Sequence, residues 1–317
     1  MWDALKALLK QPLWIITVVL GTIMVALPCV TIDKDYRWST HSPSTLWPPA
    51  VGIALLLISA LSFAYANWAD HLSARNAEAG LDLSRVEESK GEMWTTVSGC
   101  EIRVVEGRVQ DYASAPGTTI VLPCNEYFEY FDDRCVEDTR SALGAYINQV
   151  FEGQTAAFIS LVKGECGRKL GPPVPQQKTN DESAESFGPG RCVLLLEPLG
   201  RSSAVALVSI TTQRAGQGLA ARISYLFDGM RELVARLADA RLNEVVMPIL
   251  GAGHGQIDTA LAFVGLLLAI AEVARYGQGG QRLRKVTVVV FKRDADTPSQ
   301  VDRAIIRRAL ALIGARG

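Results

Sequence analysis

One stretch of sequence, residues 245–258, decides how the fold is interpreted, and it reads Val245-Val246-Met247-Pro248-Ile249-Leu250-Gly251-Ala252-Gly253-His254-Gly255-Gln256-Ile257-Asp258. An apolar run that suits a buried strand leads into three alternating glycines, and a long apolar helix pattern follows. Glycine lets the backbone adopt positive φ and lets a ligand approach without a Cβ clash. Backbone N–H groups at such a corner favour an anion, most often phosphate. The stretch therefore predicts an anion-binding loop, formed by Gly251, Ala252, Gly253, His254, Gly255 and Gln256.

Two well-known phosphate-binding motifs do not describe this loop. A P-loop has Gly-Lys-Ser/Thr after its glycines, and the dinucleotide fingerprint has an acidic residue on a following strand. Neither feature is present, and the loop lies late in the sequence. A tight strand-to-helix turn without a ligand therefore stays open as the alternative. His254 has two possible interpretations. It is either an acid/base catalyst or a ligand contact, or it is a solvent-exposed loop residue without a role.

From residue 99 onward the sequence alternates strand and helix patterns. Strands are predicted at 101–109, 118–124, 156–162, 191–197, 204–210, 244–250 and 285–291, and helices at 135–151, 219–240, 258–276 and 299–313. This alternation predicts an α/β domain in three α/β/α layers, with a mixed sheet between helices on both faces. The apolar run Ala260 to Ala271 is too short to cross a bilayer and is interpreted as a core helix. The polar stretch Gly171 to Gly190 has the composition of turns and disorder.

The first seventy residues differ in character from the rest of the chain. No charged residue occurs from Gln11 to Ile32 or from Ser42 to Ala69. Since about 20 apolar residues span the hydrocarbon core of a bilayer, we predict two transmembrane helices, at 13–32 and 46–68. The predicted organisation is a membrane hairpin over 1–69, a linker over 70–98 and a ligand-binding domain over 99–317.

Three features of the hairpin narrow its role. Its first apolar run is longer than the core of a signal peptide and lacks a small-x-small cleavage site, which favours a retained hairpin over a cleaved signal. Two spans place both ends of the chain on one side of the membrane, and unpaired cysteines favour the cytoplasmic side for the large domain. Neither span contains an ionisable residue, so a single hairpin cannot form a transport pathway. It either anchors the domain or lines a pore after several copies assemble.

Composition argues against two classes of site. The net charge is −1, and no cluster of Lys and Arg with interleaved aromatic residues appears, so nucleic acid is not expected as a partner. The six cysteines show no CxxC spacing and only three histidines are present, so a structural zinc site is not expected either. We interpret the cysteines as small buried apolar residues in a reducing compartment.

Three segments of the large domain resemble the macro domain, the ADP-ribose-binding fold. They are Glu101 to Val109, which is similar to the first strand; Ile120 to Asn125, which is similar to the strand that ends in the family's Asn-Ala-Ala-Asn; and Pro248 to Gly255, which is similar to the glycine-rich diphosphate loop. The resemblance implies that Asn125 contacts a ribose. Two departures stand out: Arg108 follows Gly107 where the family has an adenine-contacting Asp, and Asp132 to Cys135 lacks the glycines of hydrolytic members.

The whole chain resembles the membrane effector of type II Thoeris antiphage defence, because two membrane helices precede a domain with Asn125-Glu126-Tyr127-Phe128 and Ser141-Ala142-Leu143-Gly144. That resemblance implies a protein of the bacterial inner membrane. It implies that a TIR-domain partner consumes NAD and makes a nucleotide messenger, such as histidine-ADP-ribose. The messenger would bind the macro-like domain, drive formation of a homo-oligomer and disrupt membrane lipid, without a cofactor, a metal or catalysis. The alternatives are a membrane-tethered ADP-ribosyl hydrolase and an ADP-ribose-binding scaffold.

Overall fold

The computed structural model describes residues 31–32, 38–39, 81–128, 141–178, 183–214, 218–253, 255–277, 282–292 and 297–314. The chain divides into two compact units, Met1–Gly80 and Leu81–Gly317. In the first unit the described residues form two short antiparallel strands, β1 (Thr31–Ile32) and β2 (Trp38–Ser39).

The two predicted membrane spans lie outside the described residues except at one end. Thr31 and Ile32 are the last two residues of the first predicted span, and both belong to β1. These β-branched residues favour an extended backbone, and they pair with Ser39 and Trp38. The strand β1 therefore overlaps the last two residues of the first predicted span.

The second unit is built on a mixed sheet, whose strands are β3 (Glu87–Ser89), β4 (Glu92–Val97), β5 (Cys100–Gly107), β6 (Thr118–Asn125), β9 (Cys192–Leu195), β10 (Ala204–Arg214), β11 (Gly218–Ala221), β12 (Glu244–Pro248) and β13 (Lys285–Phe291). Their order in the sheet is β11-β10-β6-β12-β13-β5-β4-β3, and β9 also pairs with β10. The five central strands, from β10 to β5, are parallel to one another. The strands outside them are antiparallel. The mixed α/β sheet predicted from the sequence is confirmed.

Helices cover both faces of this sheet. They are α1 (Ala142–Val150), α2 (Thr155–Lys169), α3 (Ile223–Ala240), α4 (Thr259–Tyr276) and α5 (Arg303–Gly314). Alternate residues of the strands point to opposite layers: Ile120 and Leu122 pack with α1 and α2, whereas Val121 packs in the core beneath α3, α4 and α5. This period of two is what a strand buried on both faces requires.

Helix α4 lies deep in the core. Phe263, Leu266, Leu267 and Ile270 have no exposed surface, and Asp258 caps the helix by accepting a hydrogen bond from the backbone N–H of Leu261. Among the described residues it is the one helix long and apolar enough to cross a membrane, and 56% of its apolar window is buried. The predicted core helix is therefore observed as a core helix.

Part of the predicted linker belongs to the folded unit. Residues 81–98 contain β3 and β4, and β4 buries Met93 and Val97 against the core. Two-residue turns with positive φ join β3 to β4 at Lys90-Gly91 and β4 to β5 at Ser98-Gly99. Turns of that kind match the twist of a hairpin, and X-Gly is their sequence signal. The linker prediction is wrong from Leu81 onward.

Three other segments also differ from the prediction. Residues 219–221, predicted as the start of a helix, belong to strand β11, and the helix begins at Ile223. Residues 156–162, predicted as a strand, lie in α2, where Phe158, Val162 and Cys166 are buried at a spacing of four, which is a helical period. Within the polar stretch 171–190, strands β7 (Val174–Gln177) and β8 (Ser183–Ser186) pair as a separate hairpin. That stretch was predicted as turns and disorder because its strands are short, polar and mostly exposed.

The cysteines of the described residues are all free and buried, and they are Cys100, Cys124, Cys166 and Cys192. Burial raises the pKa of the Cys100 and Cys166 thiols to about 12. At pH 8 such a thiol is thiolate only about one part in 10⁴. Four of the six cysteines are thus protected, and we expect Ellman's reagent to label at most two thiols in the native chain and six after denaturation. Fast labelling of a third thiol in the native chain would contradict this packing.

Candidate functional site

The chain changes layers between two neighbouring strands, β6 and β12. These strands are parallel and adjacent, and the next helices along the chain lie on opposite faces: α1 after β6, and α4 after β12. In open α/β sheets, such a switch point leaves a crevice outside the carboxyl ends of the strands, where ligands bind. The fold thus places its natural binding crevice beside Asn125 and the glycine loop.

Asn125 and the glycine loop reach the same edge of the sheet. Val246 pairs with Ile120; Gly251 lies five residues beyond Val246, and Asn125 lies five residues beyond Ile120. Thr211 connects the two, because it pairs with Asn125 in the β10–β6 ladder and its methyl carbon would lie 3.2 Å from a Cβ at Gly255. The structure therefore places Asn125 and the described residues of the glycine loop at the same edge of the sheet.

The glycine loop packs tightly against the end of β11. The N–H of Ala221 donates to the carbonyl oxygen of Gly255 at 2.9 Å. A Cβ at Gly255 would lie 2.7 Å from the Cβ of Ala221 and 2.8 Å from the carbonyl oxygen of Gly251, which is too close for any side chain. Gly251 has a φ of +88°, a conformation that favours glycine. Both glycines are thus required by the local geometry.

Gly253 is different, because it faces open space. Apart from its chain neighbours, no atom of the described residues lies within 4 Å of where its Cβ would be, and its φ is not in the positive region. Packing against the described residues therefore does not explain the bare backbone at Gly253.

The loop also offers unused hydrogen-bond donors. The N–H groups of Ala252, Gly253 and Gly255 make no hydrogen bond to any residue in the described part of the chain. The N–H groups of Gln256 and Ile257 instead close the loop, donating to the carbonyl oxygens of Gly253 and Gly251. Asp258 already caps the first turn of α4. These donors therefore belong to the loop rather than to the helix, and backbone N–H groups in such a loop can bind an anion.

Asn125 ends β6 with half of its amide occupied. Its Oδ1 accepts a hydrogen bond from the N–H of Tyr127 at 3.1 Å. Its Nδ2 makes no hydrogen bond to a described residue. With Oδ1 held by the turn, Nδ2 is left as a fixed donor suited to a hydroxyl or phosphate oxygen.

Three other predicted positions have separate outcomes. His254 and the segment 132–135 lie outside the described residues. Arg108 stands at the carboxyl end of β5, at the start of a 3₁₀ turn (Val109–Tyr112), so the position of the family's acidic residue is occupied by a cation. No group of His, Cys, Asp and Glu in the described part of the chain could hold a metal ion.

Sequence analysis missed Glu126, which is completely buried at the crevice. Its carboxylate accepts hydrogen bonds from the N–H of Gln213 and the hydroxyl of Ser186, at 3.0 and 2.8 Å. The available signal was a carboxylate directly after an apolar strand, with no cationic residue nearby in the sequence to suggest a partner. Its partners lie far away along the chain, so only the fold reveals its role.

No protein-family model matches the chain, and no curated protein matches it. Similar solved structures include the Oceanobacillus iheyensis macrodomain with MES bound, at 12% identity and a TM-score of 0.46, covering 70% of this chain and 96% of that one. The same macrodomain with ADP has 11% identity and a TM-score of 0.44, covering 70% and 94%. The macrodomain of Thermus aquaticus DarG has 19% identity and a TM-score of 0.37, covering 60% and 99%. Because these TM-scores are below 0.5, the architecture of this chain rests on its own strand order and layers.

Proposed function

We propose that the crevice binds an ADP-ribose-type nucleotide, with the diphosphate on the glycine loop. The observation that carries the proposal is the set of N–H groups at Ala252, Gly253 and Gly255 that make no hydrogen bond to a described residue, at the switch point of the sheet. Donors of this kind suit the diffuse charge of a diphosphate. Asn125, joined to the loop through Thr211, would donate its Nδ2 to a ribose oxygen.

Sequence resemblance supports ADP-ribose rather than another diphosphate. The macro-like segments Ile120 to Asn125 and Pro248 to Gly255 are the two that converge at the crevice. A bare phosphate would need only the loop, whereas a nucleotide that carries a ribose also uses the amide at the end of β6. Histidine-ADP-ribose, the messenger implied by the resemblance to Thoeris effectors, belongs to this chemical class.

The same proposal assigns a role to the N-terminal residues. We place a two-span hairpin over 1–69 in the bacterial inner membrane, with the nucleotide-binding unit in the cytoplasm. A ligand that binds an assembly-competent state better than the resting state shifts the population toward that state. The messenger, supplied by a TIR-domain partner, would thus assemble several hairpins into a homo-oligomer that disrupts the membrane. The uncharged predicted spans are the support, because one hairpin alone provides no path for water.

Ligand binding is tested by thermal unfolding and calorimetry of the full chain in detergent, with ADP-ribose, histidine-ADP-ribose and inorganic phosphate. At a ligand concentration of 100 Kd, we expect ADP-ribose or its histidine conjugate to stabilise the fold by about 2.7 kcal/mol. For a unit of this size that is a rise in Tm of roughly 5–10 °C. Phosphate at the same concentration should give a much smaller rise. If neither nucleotide raises Tm or releases heat, the proposal is wrong.

Assembly is tested separately, with the full chain in lipid vesicles that contain a self-quenched dye. The ligand that binds most tightly should increase both the oligomer size and the rate of dye release. Release without added nucleotide at the same rate, or binding without any change in oligomer size, would contradict the membrane-effector proposal while leaving nucleotide binding in place.

A further inference from the structure

We infer that Glu126 is the positioning residue of this site, and that its buried carboxylate couples the β7–β8 hairpin to the turn that holds Asn125. The inference rests on the proposed function, in which the loop binds diphosphate and Asn125 binds ribose. It assigns the hairpin and the Glu126 side chain to the ribose end of the ligand, whereas the backbone N–H of Glu126 donates to Thr211, the residue next to the glycine loop.

Glu126 joins three segments of the chain through both its backbone and its side chain. Its N–H donates to the carbonyl oxygen of Thr211, and its carbonyl oxygen accepts from the N–H of Phe187. Its Oε1 accepts from the N–H of Gln213, and its Oε2 accepts from the hydroxyl of Ser186. A carboxylate with no exposed surface is retained only where such donors compensate its lost hydration.

The segment on the β10 side fixes the turn after β6. The hydroxyl of Tyr127 donates to the carbonyl oxygen of Gln213 at 2.9 Å, while the N–H of Tyr127 donates to Oδ1 of Asn125. Gln213 is itself held by Glu126. The orientation of the Asn125 amide therefore depends on a chain of contacts that begins at the Glu126 carboxylate.

The segment on the other side is the base of the hairpin. Ser186, the last residue of β8, donates to Glu126 and accepts from the N–H of Gly188. The rings of Phe187 and Phe128 meet edge to face with centroids 6.0 Å apart. The Nζ of Lys178, just after β7, lies 5.9 Å from the ring of Tyr127. The hairpin is thus attached to the Asn125 turn at the Ser186 end and near Lys178.

A carboxylate suits this position better than an amide. Glu126 presents one oxygen to Gln213 and the other to Ser186. Glutamine offers only one acceptor oxygen, so an NH₂ group facing Ser186 cannot accept the hydrogen bond that the Ser186 hydroxyl donates to Glu126 Oε2. Glu126→Gln therefore loosens one of the two connections while keeping the volume of the side chain.

The test measures the affinity of the full chain in detergent for two probes, ADP-ribose and inorganic pyrophosphate. We expect Glu126→Gln and Ser186→Ala each to weaken ADP-ribose binding by about tenfold, the effect of losing one well-placed hydrogen bond. Pyrophosphate affinity should change by less than about twofold, because both substitutions keep the backbone hydrogen bond from Glu126 to Thr211, the residue next to the loop. Glu152→Gln, an exposed glutamate in the α1–α2 connection, is the matched control and should leave both affinities unchanged.

The ratio of the two affinities separates positioning from a general loss of structure. A general loss of structure would weaken the binding of ADP-ribose and of pyrophosphate equally. That result overturns the inference, and so does unchanged ADP-ribose binding in both variants. Ser186→Ala provides the answer if Glu126→Gln fails to fold. Wild-type chain that binds neither probe overturns the proposed function and this inference together, whereas wild-type binding with unaffected variants overturns the inference alone.

Discussion

Replacing Gly253 with valine is expected to abolish nucleotide binding while leaving the stability of the fold unchanged. Chain neighbours aside, no atom in the described part of the chain lies within 4 Å of the new Cβ, and φ at this position is one that L-residues adopt, so the unliganded loop accepts the side chain. We expect the valine to compete for this open space with a diphosphate held by the N–H groups of Ala252, Gly253 and Gly255, which make no hydrogen bond to a described residue. Excluding a diphosphate from these donors should weaken ADP-ribose binding at least about 100-fold, or about 2.8 kcal/mol.

Calorimetric titration and thermal unfolding of the same sample measure both parts of this result. Gly164→Val is the matched control, because Gly164 also has nothing within 4 Å and lies on α2, in the layer opposite α4. The control should bind ADP-ribose as the wild type does. If Gly253→Val retains wild-type affinity, the loop is a structural turn and the alternative left open by the sequence is correct.

Replacing Gly255 with alanine is expected to lower both the stability of the fold and the affinity for the nucleotide. The added Cβ would lie 2.7 Å from the Cβ of Ala221 and 2.8 Å from the carbonyl oxygen of Gly251. Backbone atoms must move to relieve these contacts, and overpacking of this kind costs about 1–3 kcal/mol. At roughly 2–4 °C per kcal/mol for a unit of this size, Tm should fall by about 2–12 °C.

The change at Gly255 should also displace the loop from β11, since the Ala221 N–H donates to the Gly255 carbonyl oxygen. Denaturant unfolding gives the loss of stability, and titration with ADP-ribose gives the loss of affinity. Gly167→Ala, at an uncrowded helical position in α2, is the control and should be neutral or slightly stabilising. An unchanged Tm for Gly255→Ala would show that the loop is not packed against Ala221 as described.

The parts of the fold that could be predicted from sequence are those whose local signals agree with one another. The apolar run at β12, the glycines after it and the Asp258 cap before α4 all indicate a strand, a loop and a helix. The strand that ends at Asn125 was predictable from its apolar run, whereas Asn125 itself was singled out only by the macro-domain resemblance. Where pattern, turn chemistry and capping coincide, few alternatives remain.

The parts that could not be predicted depend on contacts between distant residues. Strand β4 is identified by the burial of Met93 and Val97 against helices far along the chain, while its neighbour β3 is charged and exposed. The β7–β8 hairpin is polar and separate from the main sheet, so no apolar pattern indicates it. The role of Glu126 in the site could not be predicted for the same reason, because its partners Ser186 and Gln213 are 60 and 87 residues away along the chain.

The most direct test of the central claim is an experimental structure of the full chain with ADP-ribose bound. We expect the diphosphate oxygens within hydrogen-bond distance of the N–H groups of Ala252, Gly253 and Gly255, at about 2.7–3.2 Å, and a ribose oxygen near Nδ2 of Asn125. A nucleotide bound elsewhere on the chain, with the loop donors facing only solvent, would contradict the account.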